Sequence, residues 1–328
     1  DIGIVGASGT GLQEVTVLID RFGGGISQAI GTGGRDLSEA IGGTMMLDGL
    51  AALDRDKGTK VIVLISKPPA KGVAEKVLAQ VGSCRKPVVV CFISSGSAQS
   101  EMPGGHFTPS LAEAARVAVS LAKGEAFSKE KEMDTSLLDR VRAAAKGLKA
   151  EQKYIRGIFC GGTLCDEALN LIRTRTGSGY SNIVKQAEWR LDNPHESKEN
   201  TCIDLGDDLF TIGKPHPMIE PSLRLGRIVQ EAKDPEVAVI LLDVELGYGS
   251  NADPAGVTIP AIAEARRIAA EEGRILVFIA YVCGTGLDKQ NKAEQERKLT
   301  EAGVVLASSN AEAASLAAAV VGDRGVTE

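Results

Sequence analysis

At 328 residues the chain is about twice a common domain length of roughly 150 residues, so two domains, each with its own core, are the natural division. It holds 38 glycines but only Phe 7, Tyr 4 and Trp 1, which suits tight strand-to-helix turns around an aliphatic interior, and the glycines lack the three-residue period of collagen. The net charge of −6, with no basic tract, argues against nucleic acid as a partner, and no run of about 18 apolar residues predicts a membrane span.

Taken in chain order, short β-rich runs alternate with amphipathic stretches, the pattern of a parallel sheet covered by helices. Strands are predicted at Ile2–Val5, Gln28–Ile30, Lys60–Ile65 and Pro87–Ile93, then at Ile155–Phe159, Thr201–Asp204, Val237–Val244, Ile275–Tyr281 and Gly303–Ala307. The second half restates the first. Gly3-Ile4-Val5 followed by Gly9-Thr10-Gly11 recurs as Gly157-Ile158-Phe159 followed by Gly162-Thr163. Val61–Ser66 is echoed by Ala238–Asp243, and Ser110-Leu111-Ala112-Glu113 by Ser309-Asn310-Ala311-Glu312. The expected architecture is therefore α/β, with duplicated doubly wound domains at 1–123 and 154–328 and mainly parallel sheets. A charged connector at 124–153 would carry a helix over Ser136–Gly147 behind Asp134 and Thr135. Thr174–Asn200 is polar and irregular and reads as a lid or an inserted hairpin.

No secretory leader precedes the first strand, and upstream sequence is expected to be missing. Cys84, Cys91, Cys160, Cys165, Cys202 and Cys283 form no CxxC pair, so they are expected to pack as small hydrophobes in a reducing cytoplasm rather than to hold structural zinc.

Gly6-Ala7-Ser8-Gly9-Thr10-Gly11 follows a strand and opens a helix. Backbone N–H groups and the helix dipole would hold a phosphate or carboxylate there through Ser8, Gly9, Thr10 and Gly11. The alternative is a capping box of Thr10 with Gln13. Gly161, Gly162 and Thr163 repeat the feature, and duplicated helix ends can share one ligand. Arg35, in Gly33-Gly34-Arg35-Asp36, could clasp a carboxylate or phosphate, or pair locally with Asp36. Asp204, Asp207 and Asp208 lie within five positions and could take magnesium, or Asp207 or Asp208 could cap a helix. The proline-rigid loop after them offers Lys214 for substrate and His216 for proton transfer. His106 is a further candidate nucleophile or base, and His195 reads as a surface residue.

Gly3–Gly11, Ala29–Leu37 (AIGTGGRDL), Ser66–Pro69, Phe159–Leu164, Ile203–Pro217 (IDLGDDLFTIGKPHP) and Leu241–Pro254 together resemble the FdrA family of acyl-CoA-synthetase-like proteins. They are similar more distantly to the flavodoxin-like ligase domains of succinyl-CoA synthetase. The resemblance implies an N-terminal CoA-binding-like region, expected to be absent from this chain. It implies a phosphate cradle at Ser8–Thr10 and Gly161–Thr163. It does not carry over the phosphorylated Gly-His-Ala-Gly histidine, since Gly104-Gly105-His106-Phe107 stands near that place.

FdrA-like proteins are implied to act with partner subunits as an oxamate carbamoyltransferase in allantoin catabolism. The leading expectation is accordingly a cytoplasmic, oligomeric transferase subunit acting on carbamoyl phosphate or another acyl phosphate, with oxamate as acceptor. The first alternative is a nucleotide-dependent acyl-CoA ligase subunit, using CoA and ATP and phosphorylated at His106. The second is a non-catalytic scaffold or regulatory subunit.

Overall fold

The computed structural model describes residues 1–93, 104–126 and 134–322, and the chain divides into two compact units, Asp1–Glu130 and Lys131–Glu328. In the first unit β1 (Ile2–Gly6), α1 (Gly9–Arg21), β2 (Ile26–Gly31), α2 (Thr44–Arg55), β3 (Val61–Ser66), α3 (Lys71–Val81), β4 (Val88–Phe92), β5 (Gly105–Phe107) and α4 (Leu111–Lys123) follow in turn. The sheet order is β2-β1-β3-β4-β5, and every pair is parallel. Strands β1, β3 and β4 are buried along their whole length, as a sheet covered on both faces requires. Their Val and Ile runs explain both the strand propensity and the core.

The second unit comprises α5 (Thr135–Ala145), β6 (Tyr154–Phe159), α6 (Gly162–Thr176), β7 (Thr201–Asp204), α7 (Asp208–Thr211), α8 (Ser222–Glu231), β8 (Val237–Glu245), α9 (Pro254–Glu271), β9 (Val277–Cys283), α10 (Lys292–Glu301), β10 (Val305–Ala307) and α11 (Asn310–Gly322). Its order, β7-β6-β8-β9-β10, is the first unit's 2-1-3-4-5 order, again all parallel. Both units are thus doubly wound and flavodoxin-like. Their last helices keep the same start: Ser110 accepts from the Glu113 N–H, and Ser309 from the Glu312 N–H, each at 3.1 Å.

Three expectations need correction. Ile2 pairs with Val61 and Arg156 with Ile240, so β3 corresponds to Ile240–Glu245, not to Ala238–Asp243. Apolar strands slide past one another in sequence comparison; hydrogen bonding sets their register. The connector is not a solvated spacer throughout: α5 begins behind Asp134, which accepts from the Ser136 N–H, and buries Leu137 and Val141 within the second unit. Buried Gln152 donates to the carbonyls of Val237 and Ile275, each at 2.7 Å. Residues 127–133 of the connector lie outside the described residues. Finally, the Thr174–Asn200 insertion covers the outer edge of β7. The Tyr180 N–H donates to the Asn200 carbonyl, and the Cys202 N–H to the Tyr180 carbonyl, which shields an otherwise open strand edge.

Candidate functional site

The carboxyl end of β1 turns through Ala7 into α1. Ser8 has extended backbone angles, φ −157° and ψ 122°, and its hydroxyl accepts from the Gly11 N–H at 2.9 Å. Ser8 is therefore the N-cap, two residues earlier than a Thr10–Gln13 box would place it. The Thr32 N–H donates to the Gly6 carbonyl at 2.9 Å, which holds the 32–35 loop beside this turn. A side chain added at Gly9 or Gly33 would meet nothing within 4 Å. No acceptor among the described residues meets the backbone N–H of Gly9 or Thr10. Arg35 is exposed beside this edge. Asp36 does not pair with it: its carboxylate is buried and accepts from the Met45 and Met46 N–H groups at 2.9 and 2.8 Å, capping α2.

The equivalent end of β6 is built differently. Helix α6 starts after Gly161, which has no side chain to cap it. Asp243, wholly buried near the end of β8, supplies the cap instead: its carboxylate accepts from the Cys160 N–H at 3.0 Å and the Gly161 N–H at 2.9 Å. Arg224 of α8 reaches in behind it, with Nη2 3.0 Å from Asp243 Oδ1 and 3.2 Å from the Ile158 carbonyl. Nη1 of Arg224 lies 3.4 Å from Cys160 Sγ. Of the expected phosphate cradle at Gly161, Gly162 and Thr163, the Gly161 N–H is thus already taken by the chain's own carboxylate.

Glu245 stands two residues beyond Asp243 on the same strand, hence on the same sheet face. Burial first, and then the Asp243 charge, push its carboxyl well above the ordinary range, so it keeps its proton and shares it with Asp243. Its Oε1 is buried without a hydrogen-bond partner. Burial likewise raises the Cys160 thiol far above its usual value. Among the described residues, Cys160, Asp243 and Glu245 place donor atoms within 4.8 Å of one another, in a geometry able to hold a metal ion. Sequence reading missed Asp243, Glu245 and Arg224. The signal was present: two carboxylates at i and i+2 closing the otherwise apolar run VAVILLDVE.

His216 is half-buried near this cluster. Its Nδ1 accepts from the Met218 N–H at 3.3 Å, which leaves Nε2 to face Gly206, where a Cβ would come to 2.4 Å from Nε2 and 2.6 Å from the Cys160 carbonyl. Glycine at 206 is thus what lets the imidazole approach β6. Burial lowers the His216 pKa, against an opposing pull from Asp243, so the ring is neutral at pH 7. Lys214 points elsewhere, into a cavity of about 520 Å³ whose walls include His195, Phe210, Glu220 and Arg227. His195 is exposed and packs edge-on against Phe210, with ring centroids 5.4 Å apart.

The Asp-rich segment does not converge on a cation. Asp204 turns back to accept from the Gly206 N–H at 2.9 Å, Asp207 caps the short α7 through the Leu209 N–H at 3.0 Å, and Asp208 is exposed. His106 lies on the exposed edge strand β5, paired with Val89, rather than in a loop. Three strand spacings, roughly 14 Å, separate that strand from β1 and its helix.

A doubly wound pair of units with polar groups gathered at the carboxyl edges of their sheets defines the class. A CoA-binding domain model matches residues 1–94 and a CoA-ligase model matches residues 158–320. The chain is 51% identical over 319 residues to uncharacterized protein YahF of Escherichia coli K12, covering 97% of this chain and 61% of that relative. The two family models and this relative together support an acyl-CoA-synthetase-like family for the chain. It spans about three fifths of the length of that relative. The CoA-binding match corrects one expectation, since it falls on residues assigned from sequence to the first ligase-like domain.

Among solved structures, dinucleotide-forming acetyl-coenzyme A synthetase 1 of Ca. Korarchaeum cryptofilum, in complex with phosphate and ADP, is 15% identical. It covers 98% of this chain and 64% of its own, with a TM-score of 0.39. ATP citrate lyase from Methanothrix soehngenii, in complex with citrate and coenzyme A, is 12% identical, with coverages of 100% and 51% and a TM-score of 0.32. No helix among the described residues is long and apolar enough to cross a membrane.

Proposed function

We propose that this chain is the CoA-binding and acid–thiol ligase portion of an acyl-CoA synthetase, working with further chain or partner subunits that supply nucleotide chemistry. The observation that carries this reading is the open helix start of the first unit, which lies inside the stretch matched by the CoA-binding model. The uncommitted N–H groups of Gly9 and Thr10, the Ser8 turn and the exposed Arg35 suit the phosphates of CoA. ATP enters with the partner, and a small carboxylate is the acyl donor. Within the second unit, His216 is placed to hold or pass a proton, and Lys214 to anchor an anionic group in its cavity. Carbamoyl transfer to oxamate is supported by neither family model.

Calorimetric titration with CoA, beside carbamoyl phosphate and oxamate, tests the reading. Saturable CoA binding that weakens at least about tenfold in Arg35→Ala is the expected result. Binding of oxamate and carbamoyl phosphate without CoA would return the transferase to first place.

A further inference from the structure

We propose that Cys160, Asp243 and Glu245 form a binding site for a zinc-class divalent transition metal in the second unit. This inference does not rest on the ligase reading. The donors come from the turn just after β6 and from β8, strands that adjoin at the point where the sheet order reverses; this is where open α/β sheets carry their ligands. One sulfur and two carboxylate oxygens already lie within 4.8 Å of one another, all on fully buried side chains. Glu245 adds an independent sign. Its Oε1 has no hydrogen-bond partner although no water reaches it, and a buried carboxylate oxygen left in that state is unusual without an absent ligand.

Charge and donor type select the ion. Metal binding displaces the protons of Cys160 and Glu245, and the three anionic donors then set against the Arg224 guanidinium leave a deficit of two positive charges that a divalent cation cancels. A thiolate among the ligands favours zinc, cobalt or ferrous iron over magnesium, which demands oxygen ligands and retains its water. Three protein donors leave a fourth position open, the arrangement of metal centres that receive a substrate or water rather than closed structural ones. Drawing the donors into tetrahedral contact asks for side-chain rotations of about an ångström from their present separation. The Cys160 backbone is already held by Asp243, so the sulfur and the first carboxylate move as one unit.

The test is cobalt substitution of the full chain. Protein stripped with a chelator is titrated with Co²⁺, followed by a thiolate-to-cobalt charge-transfer band and by metal analysis after gel filtration. The expected result is one ion per chain with that band. The band should be retained in Cys202→Ser, a buried thiol outside the cluster, and lost in Cys160→Ser. Affinity should fall more than about tenfold in Glu245→Gln. Wild-type protein that takes up no stoichiometric cobalt or zinc would overturn the site, as would a band surviving in Cys160→Ser. The wild-type titration decides the matter even if a variant fails to fold.

Discussion

Helices α1 and α6 begin at equivalent places in two copies of one topology, each at the carboxyl end of a first strand, yet they are capped in different ways. At α1 a local serine caps the turn and the neighbouring donors stay open to solvent beside Arg35. At α6 the serine's place is taken by Gly161, and the cap arrives from β8 as Asp243, with Arg224 behind it. By strand register, Asp243 stands where the first unit has Leu64, and Glu245 where it has Ser66. One copy caps its first helix from its own turn, whereas the other draws the cap at Gly161 from a buried ionic cluster. Duplication preserved the backbone and let the polar groups diverge.

The most damaging way to break the contrast is Asp243→Ala. It uncaps α6 and leaves Arg224 buried without its carboxylate, so a loss of about 3–5 kcal/mol is expected in denaturant unfolding. A loss under about 1 kcal/mol would show that the cluster is not what secures this helix.

Glu245→Gln sharpens the same point through pH. The folded-state carboxyl titrates well above its ordinary value of 4.5, so the native form holds a proton that the unfolded chain releases. The stability that this proton contributes is complete below pH 4.5 and is lost as pH rises through the folded pKa. With chelator present, the variant should show a flatter stability profile above pH 4.5 and should gain on the wild type toward alkaline pH. Parallel profiles would place the Glu245 proton elsewhere.

Smaller effects belong to the first unit. Asp36→Ala removes a two-pronged cap from α2 and should cost about 1–2 kcal/mol. Ser8→Ala should cost about 1 kcal/mol, because one hydroxyl cap is lost and nothing charged is stranded. Arg35→Ala should leave the unfolding midpoint within about 0.5 kcal/mol while weakening CoA binding, as an exposed ligand contact does. A large fall in stability with unchanged binding would instead make Arg35 a structural residue.

The repeat itself, the strands other than β5 and the serine caps of the last helices were legible because each depends on local pattern: apolar runs, turn residues and capping side chains a few positions apart. Strand β5 escaped notice because three residues, Gly105–Phe107, make too short an apolar run to stand out from a loop. Of the candidate site residues, Asp207 took the cap position already weighed for it, whereas α1 is capped by Ser8 and not by the expected Thr10. Gly161 did not become an open ligand donor, because Asp243, some eighty positions away in sequence, takes its N–H. Composition and periodicity thus determined a doubled, parallel, doubly wound chain. Only the folded arrangement decided how each helix start is capped, since strand pairing and the packing of α8 bring Cys160, Asp243, Glu245 and Arg224 into one dry space where burial governs their charge.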